Sequence, residues 1–238
     1  MTLPRHRAIL EPSTPTGHAP WAPRVATPGA SSFWGSIVNR TVFLVDGFNL
    51  YHSLLDGERV LGRSLRRLDV FSLCSSYLHA LPGESVLQGV IHFSALPHHL
   101  EARRPGVVHG QMRYLEALRA TGVETRLGQF KRRERTCPLC GRGFVTFEEK
   151  ETDVAIGTTL TRLVCDDACD TVVLVTGDTD LVPAVTTARD RDPGKTLAVL
   201  FPYRRANAEL KRVADTAFTM KATNYARHQL PNALIRGA

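Results

Sequence analysis

The chain has 238 residues, 43% of them hydrophobic, and its 30 basic residues against 23 acidic ones leave a formal charge of +7. That length suits one compact domain with tails, since single domains commonly hold roughly 100–200 residues. No stretch approaches the ~18 consecutive apolar residues of a membrane span, and residues 1–40 lack the apolar run of a secretory signal, which excludes those classes and predicts a cytoplasmic protein.

Residues 1–39 are rich in Pro, Gly, Ala, Ser and Thr without apolar periodicity, which predicts a disordered or loosely tethered tail from which Trp21, Phe33 and Trp34 could dock on the domain. Folded structure is expected over residues 40–222. Residues 41–45 (TVFLV) form a short β-branched run ending in Asp46-Gly47, as a buried parallel strand feeding a functional loop does. Helical spacing runs from Leu65 to Leu81 before Pro82-Gly83. A strand over Ser85–Ala95, a helix over 107–121 and a strand over 123–130 follow. A basic, cysteine-bearing insert then occupies residues 131–149, followed by a helix from Asp153, a strand over Thr171–Val175 and a helix over 180–191 with Pro183 in its first turn. A strand over Thr196–Phe201, a helix over 206–213 and a strand over 217–220 complete the domain, and residues 223–238 are expected to form a C-terminal tail. Strands alternating with helices imply an α/β fold with a mainly parallel sheet covered on both faces.

Ligands of such sheets bind beyond the carboxyl ends of the strands. Two strands end almost alike, in Val45-Asp46-Gly47-Phe48-Asn49 and in Val175-Thr176-Gly177-Asp178-Thr179-Asp180, and Asp153 opens a helix, where it could be a plain N-cap. Taken one at a time these are ordinary turns and a cap. If Asp46, Asp153, Asp178 and Asp180 converge, their mutual repulsion calls for a divalent cation, and Mg²⁺ or Mn²⁺ suits an all-oxygen site. Such ions promote phosphodiester hydrolysis by activating water and stabilising charge on the attacking and leaving oxygens.

In this order the motifs 45–49 (VDGFN), 150–155 (KETDVA) and 176–181 (TGDTDL) resemble those of the NYN family, whose members are similar to PIN-domain nucleases. The resemblance covers roughly residues 40–222. It implies a PIN-like three-layer sandwich with a central mainly parallel sheet flanked by helices, metal dependence, and activity on RNA. Matched position by position, it implies that Asp46, Asp153, Asp178 and Asp180 are metal-site acids and that Asn49 orients a ligand or water. Lys150 either contacts phosphate or is a solvated lysine within the acidic run 148–151, and Glu151 is a weaker candidate.

Five cysteines without a secretory signal read as reduced thiols, with one metal clip at most. Cys137-Pro138-Leu139-Cys140-Gly141 has the form of half a zinc knuckle, two thiolates able to reach one tetrahedral Zn²⁺. Cys165, Cys169, one of the histidines His98, His99 and His109, or a second subunit of a homodimer could complete it, although Cys165 and Cys169 are more simply core residues. The basic residues of this region, Lys131, Arg132, Arg133, Arg135 and Arg142, suit backbone phosphates, as do Arg204 and Arg205 after the strand at Thr196–Phe201. Phe130, Phe144 and Phe147 either stack bases or pack the core.

The expectation is therefore a metal-dependent endoribonuclease acting on single-stranded or structured RNA. The alternative is a non-catalytic RNA-binding or regulatory module that keeps the fold.

Overall fold

Residues 41–46 are buried without interruption, as a strand covered on both faces requires. They belong to β1 (Asn39–Asp46), which lies in a sheet with β2 (Ser85–Ala95), β3 (Val123–Thr136), β4 (Gly143–Lys150), β5 (Thr171–Val175), β6 (Thr196–Phe201) and β7 (Thr216–Thr219). The structure is a computed structural model that describes residues 38–231 and Leu234, so the expected N-terminal tail with Trp21, Phe33 and Trp34 lies outside the described residues. The sheet has seven strands in the order β4-β3-β2-β1-β5-β6-β7. Every pairing is parallel except β3 with β4, which makes the sheet mixed and mostly parallel.

From β1 the chain adds strands outward to one side, through β2 and β3, and then returns to place β5 on the other side of β1. The crevice at the carboxyl ends of β1 and β5 is thus the place where strand order reverses, the usual ligand position in an open α/β sheet.

The helices are α1 (Gly47–Leu61), α2 (Val70–Ser75), α3 (Val107–Ala120), α4 (Thr152–Cys165), α5 (Val182–Arg191), α6 (Ala208–Val213) and α7 (Ala222–Arg227). The core joins Phe43 and Val45 of β1 and Val173 and Val175 of β5 to Leu50 and Leu54 of α1, with Leu65, Leu68 and Leu73 alongside.

Three expectations are corrected. Helix α1 replaces the loop expected after Asp46, because its buried face is carried by Leu50, Ser53, Leu54 and Gly57, a helical spacing half made of small residues. The long helix expected from Leu65 to Leu81 shrinks to α2 and a 3₁₀ turn at Leu78–Ala80, since Leu65 and Leu68 are buried outside any helix. The expected C-terminal tail instead packs back as far as it is described. Tyr225 of α7 is fully buried, its hydroxyl 2.7 Å from Ser53 Oγ and accepting the N–H of Tyr203 at 2.9 Å, and Leu230 joins the core.

The basic insert, to which no element was assigned from sequence, is made of strands. Residues 123–128 of β3 pair with β2, and the same strand then runs on past the end of β2, where residues 129–136 pair with β4. The insert is therefore a two-stranded arm projecting beyond the carboxyl edge of the sheet, turned at residues 137–142, and it delivers the chain into α4.

Candidate metal centre

Each acid is delivered by a different element end. Asp46 is the last residue of β1 and the N-cap of α1, where its Oδ1 accepts the N–H of Asn49 at 2.9 Å. Asp178 follows β5 and caps the 3₁₀ turn at Thr179–Leu181, accepting the N–H of Asp180 at 3.0 Å. Asp153 lies in the first turn of α4. The three bring ligand oxygens within 4.8 Å of one another, and among the described residues this is the one group of three or more acid, histidine or cysteine side chains so placed.

The two loops are tied across the crevice. Thr176 Oγ1 donates to Asp46 Oδ2 at 2.8 Å and accepts the N–H of Asp178 at 3.0 Å. Asn49 Oδ1 accepts the N–H of Gly177 at 3.1 Å. Asn49 thus spends its carbonyl on fixing the second loop against the first. Both loops need glycine for close approach. A side chain at Gly47 would run into the carbonyl of Phe93, and one at Gly177 into the carbonyl of Arg205.

Electrostatics follow from this crowding. Asp46 is only 4% exposed, and burial pushes its carboxyl up to about 6; the bonds from Asn49 and Thr176 oppose the shift, while Asp153 and Glu149 add to it by repulsion. Asp153 is raised as well, first by burial and then by Asp178 and Asp180, with Lys150 pulling the other way. Glu149, which the sequence reading passed over, is raised by burial and by Asp153, and it accepts the Thr152 hydroxyl at 2.6 Å. Asp46, Glu149 and Asp153, each raised in part by a neighbouring acid, with Lys150 opposing at Asp153, belong to the kind of donor set a hard divalent cation relieves. Asp46, Asp153 and Asp178 could hold it directly, while Asp180 stands exposed outside the group, close enough to act on Asp153.

From Asp153 and Asp180 an open groove of about 790 Å³ runs between α4 and α5, past Gly157, Thr161 and Thr187. The basic candidates are distributed unevenly about the site. Lys150 pairs with Glu148 at 3.0 Å, Arg132 with Glu134 at 2.6 Å, and Arg133 and Arg135 both meet Glu148. Arg205 pairs with Asp56 of α1 at 2.7 Å, whereas Arg204 is exposed, its guanidinium 5.3 Å from the Tyr203 ring centre.

Cys137 and Cys140 sit at the turn of the arm, where N–H groups of Cys140 and Leu139 point at the Cys137 sulfur and lower its thiol pKa. Among the described residues no third ligand joins them, neither Cys165, Cys169 nor a histidine.

The NYN domain model matches residues 40–221, which takes in all seven strands but for Asn39 and includes Asp46, Asp153, Asp178 and Asp180. The chain belongs to the NYN domain family. Membership and the Asp group, of which Asp46 is buried, together suggest a PIN-like nuclease with a metal site. No curated protein matches the chain. Among solved structures, this NYN domain is similar to a protein of unknown function from Vibrio parahaemolyticus, with 19% identity, a TM-score of 0.51, and coverage of 77% of this chain and 93% of the other. That likeness bears on the fold alone. Among the described residues no helix is long and apolar enough to cross a membrane.

Proposed function

We propose that this NYN domain, in a PIN-like three-layer arrangement, is a ribonuclease that uses Mg²⁺ or Mn²⁺ to hydrolyse RNA phosphodiester bonds. The observation that carries the reading is the approach of Asp46, Asp153 and Asp178 to within 4.8 Å at the reversal point of the sheet. A divalent ion bound there supplies Lewis acidity toward the phosphate and strengthens water as a nucleophile.

The chain's own residues do the remaining work. Asp46, Asp153 and Asp178 would hold the ion, and Asp180, exposed outside that group, would add negative charge at its rim. Thr176 and Asn49 keep the β1 and β5 loops in register, so that the carboxylates are oriented before an ion arrives. Lys150, already acting on Asp153, would meet a phosphate oxygen by exchanging its partly exposed pairing with Glu148. Arg204 and the arginines of the arm attract the backbone by counterion release.

The test is cleavage of labelled single-stranded and structured RNA under Mg²⁺, Mn²⁺ and EDTA. Asp178→Asn and Asp153→Asn should abolish hydrolysis while circular dichroism stays unchanged. Full activity in both variants, or in EDTA, defeats the assignment. Tight, salt-sensitive RNA binding by the wild type with no metal-stimulated hydrolysis would instead identify a non-catalytic RNA-binding module.

A further inference from the structure

The two faces of the arm differ in chemistry. Residues opposite one another in an antiparallel pair share a face, as do their diagonal neighbours. Phe130 stands opposite Glu149 and Arg132 opposite Phe147, so these four occupy one face; Lys131, Arg133 and Arg135 occupy the other, together with Glu148. The first face is aromatic. Phe147 lies flat on His99, with ring centres 4.6 Å apart and planes 15° from parallel, and His99 is 4.5 Å from Phe130. Phe130 in turn meets Phe48 edge-on at 6.4 Å.

This file starts at the acidic group. Phe48 is two residues beyond Asp46, and Phe130 is paired with Glu149, whose charge acts on Asp46. It then runs outward along the arm. Its members are not core residues, since Phe48 is 45% and Phe147 41% exposed. Phe147, backed by the His99 imidazole and partly exposed, offers a surface on which a second flat ring can stack. Arg132 lies directly across from Phe147 on the same face, and its one partner, Glu134, is an exposed pairing it can exchange for a phosphate.

We propose that Phe48, Phe130, His99 and Phe147 form a base-stacking track for unpaired RNA, which makes the domain select single strands over duplex. The proposal rests on the ribonuclease reading for the identity of the ligand. In a duplex the base faces are already stacked on one another and cannot reach the rings, whereas every unpaired base offers a π-face whatever its sequence. The track therefore predicts strand selectivity with little base selectivity. The net charge of +7 and the position of Arg132 fit a ligand that alternates flat apolar rings with phosphates, as a nucleic acid strand does.

The test is equilibrium binding of the full chain in EDTA to a labelled single-stranded RNA 12-mer and to a duplex of the same length. A 2-aminopurine base in the single strand reports stacking by loss of its fluorescence. Phe147→Ala is expected to weaken single-strand binding by about tenfold to a hundredfold, to leave duplex binding unchanged and to abolish the quenching, while Phe147→Trp restores both. Unchanged single-strand affinity in the alanine variant overturns the proposal, as does equal weakening on both ligands or no single-strand preference in the wild type. Because binding is read without turnover, the two readings fail separately. A stacking preference without hydrolysis sinks the ribonuclease alone, and metal-dependent hydrolysis without a stacking preference sinks the track alone.

Discussion

The hydroxyl of Thr176 donates to the buried carboxylate of Asp46 at 2.8 Å, across the boundary between the two halves of the sheet. The same oxygen accepts the N–H of Asp178 at 3.0 Å, so one side chain sets both the direction of a buried acid and the path of the loop that carries its neighbour. Partners of this kind, one step removed from the ion, typically change metal affinity by about 10–100-fold when lost. Thr176→Ala should weaken Mn²⁺ binding by that amount, read as a shift in the metal concentration that raises the melting temperature. Thr176→Ser keeps the hydroxyl and should stay within a few-fold of wild type. Wild-type affinity in the alanine variant would show that the bridge does not orient the site.

The backbone of the second loop offers a separate handle. A methyl at Gly177 would be driven into the carbonyl of Arg205, with that residue's own Cβ only 2.9 Å away. Neither neighbour gives easily, because the Arg205 guanidinium is held by Asp56 at 2.7 Å. Gly177→Ala is expected to destabilise the domain by about 1–3 kcal/mol, as overpacking does, and to cut metal affinity through displacement of Asp178. Urea denaturation and Mn²⁺ titration measure the two effects. A variant with unaltered stability and affinity would mean that the loop can relax away from Arg205.

Burial of Asp46 makes a prediction with a definite sign. Its carboxyl is raised from 3.8 to about 6, so between those values the folded chain holds a proton that the unfolded chain has released. Stability from this group is therefore greatest at low pH and is lost as pH rises through about 6. The loss is about 3 kcal/mol at about 1.36 kcal/mol per pKa unit. Asp46→Asn should abolish it, so the metal-free variant should gain on the wild type by that order at pH 7.5 and little at pH 4. Comparing urea midpoints of the two proteins in EDTA isolates Asp46 from Glu149 and Asp153, whose raised values act in the same direction. Parallel pH profiles would show that the carboxylate is better solvated than its burial implies. Divalent ions should close the gap only above about pH 6, where the carboxylate is free of its proton.

How much of this was legible in the sequence depends on what each residue type can signal. The strands at Thr171–Val175 and Thr196–Phe201 were readable to the residue, because buried parallel strands are uninterrupted β-branched and aliphatic runs. The acids at 46 and 178 stood out because similar strand ends repeat, and Asp153 and Asp180 joined them through the family resemblance; that Asp46, Asp153 and Asp178 meet while Asp180 stays outside is a property of strand order and not of spacing. Helix α1 was hidden, since Ser53 and Gly57 take half of its buried face and blur the apolar stripe. The arm was hidden for the opposite reason. Its strands are largely exposed and carry charges on both faces, so no apolar stripe marks a buried side, and it is the pairing with residues 129–136 that sets Glu149 on the face of Phe130 and Glu148 on the face of the arginines. The clamp made by Asn49 was equally out of reach, because its partner, Gly177, lies 128 residues away in the chain.

The cysteines at the turn of the arm carry the remaining prediction. Cys137 is set up to ligate: its sulfur receives the N–H groups of Cys140 and Leu139, and the turn is locked by the N–H of Gly141 on the Cys137 carbonyl at 2.9 Å, with Gly141 itself at a φ of 68°. Structural zinc takes four ligands in a tetrahedron, and two thiolates leave it half coordinated. With no third ligand among the described residues, a monomer should not retain the ion through gel filtration, and any zinc that survives should be found in a two-chain species at one ion per pair. Native mass spectrometry with added Zn²⁺ reads ion count and chain count together, and Cys137→Ser and Cys140→Ser should each remove both the ion and the pairing. One tightly held zinc per single chain, lost in either variant, would instead require that residues outside the described part of the chain reach the turn of the arm.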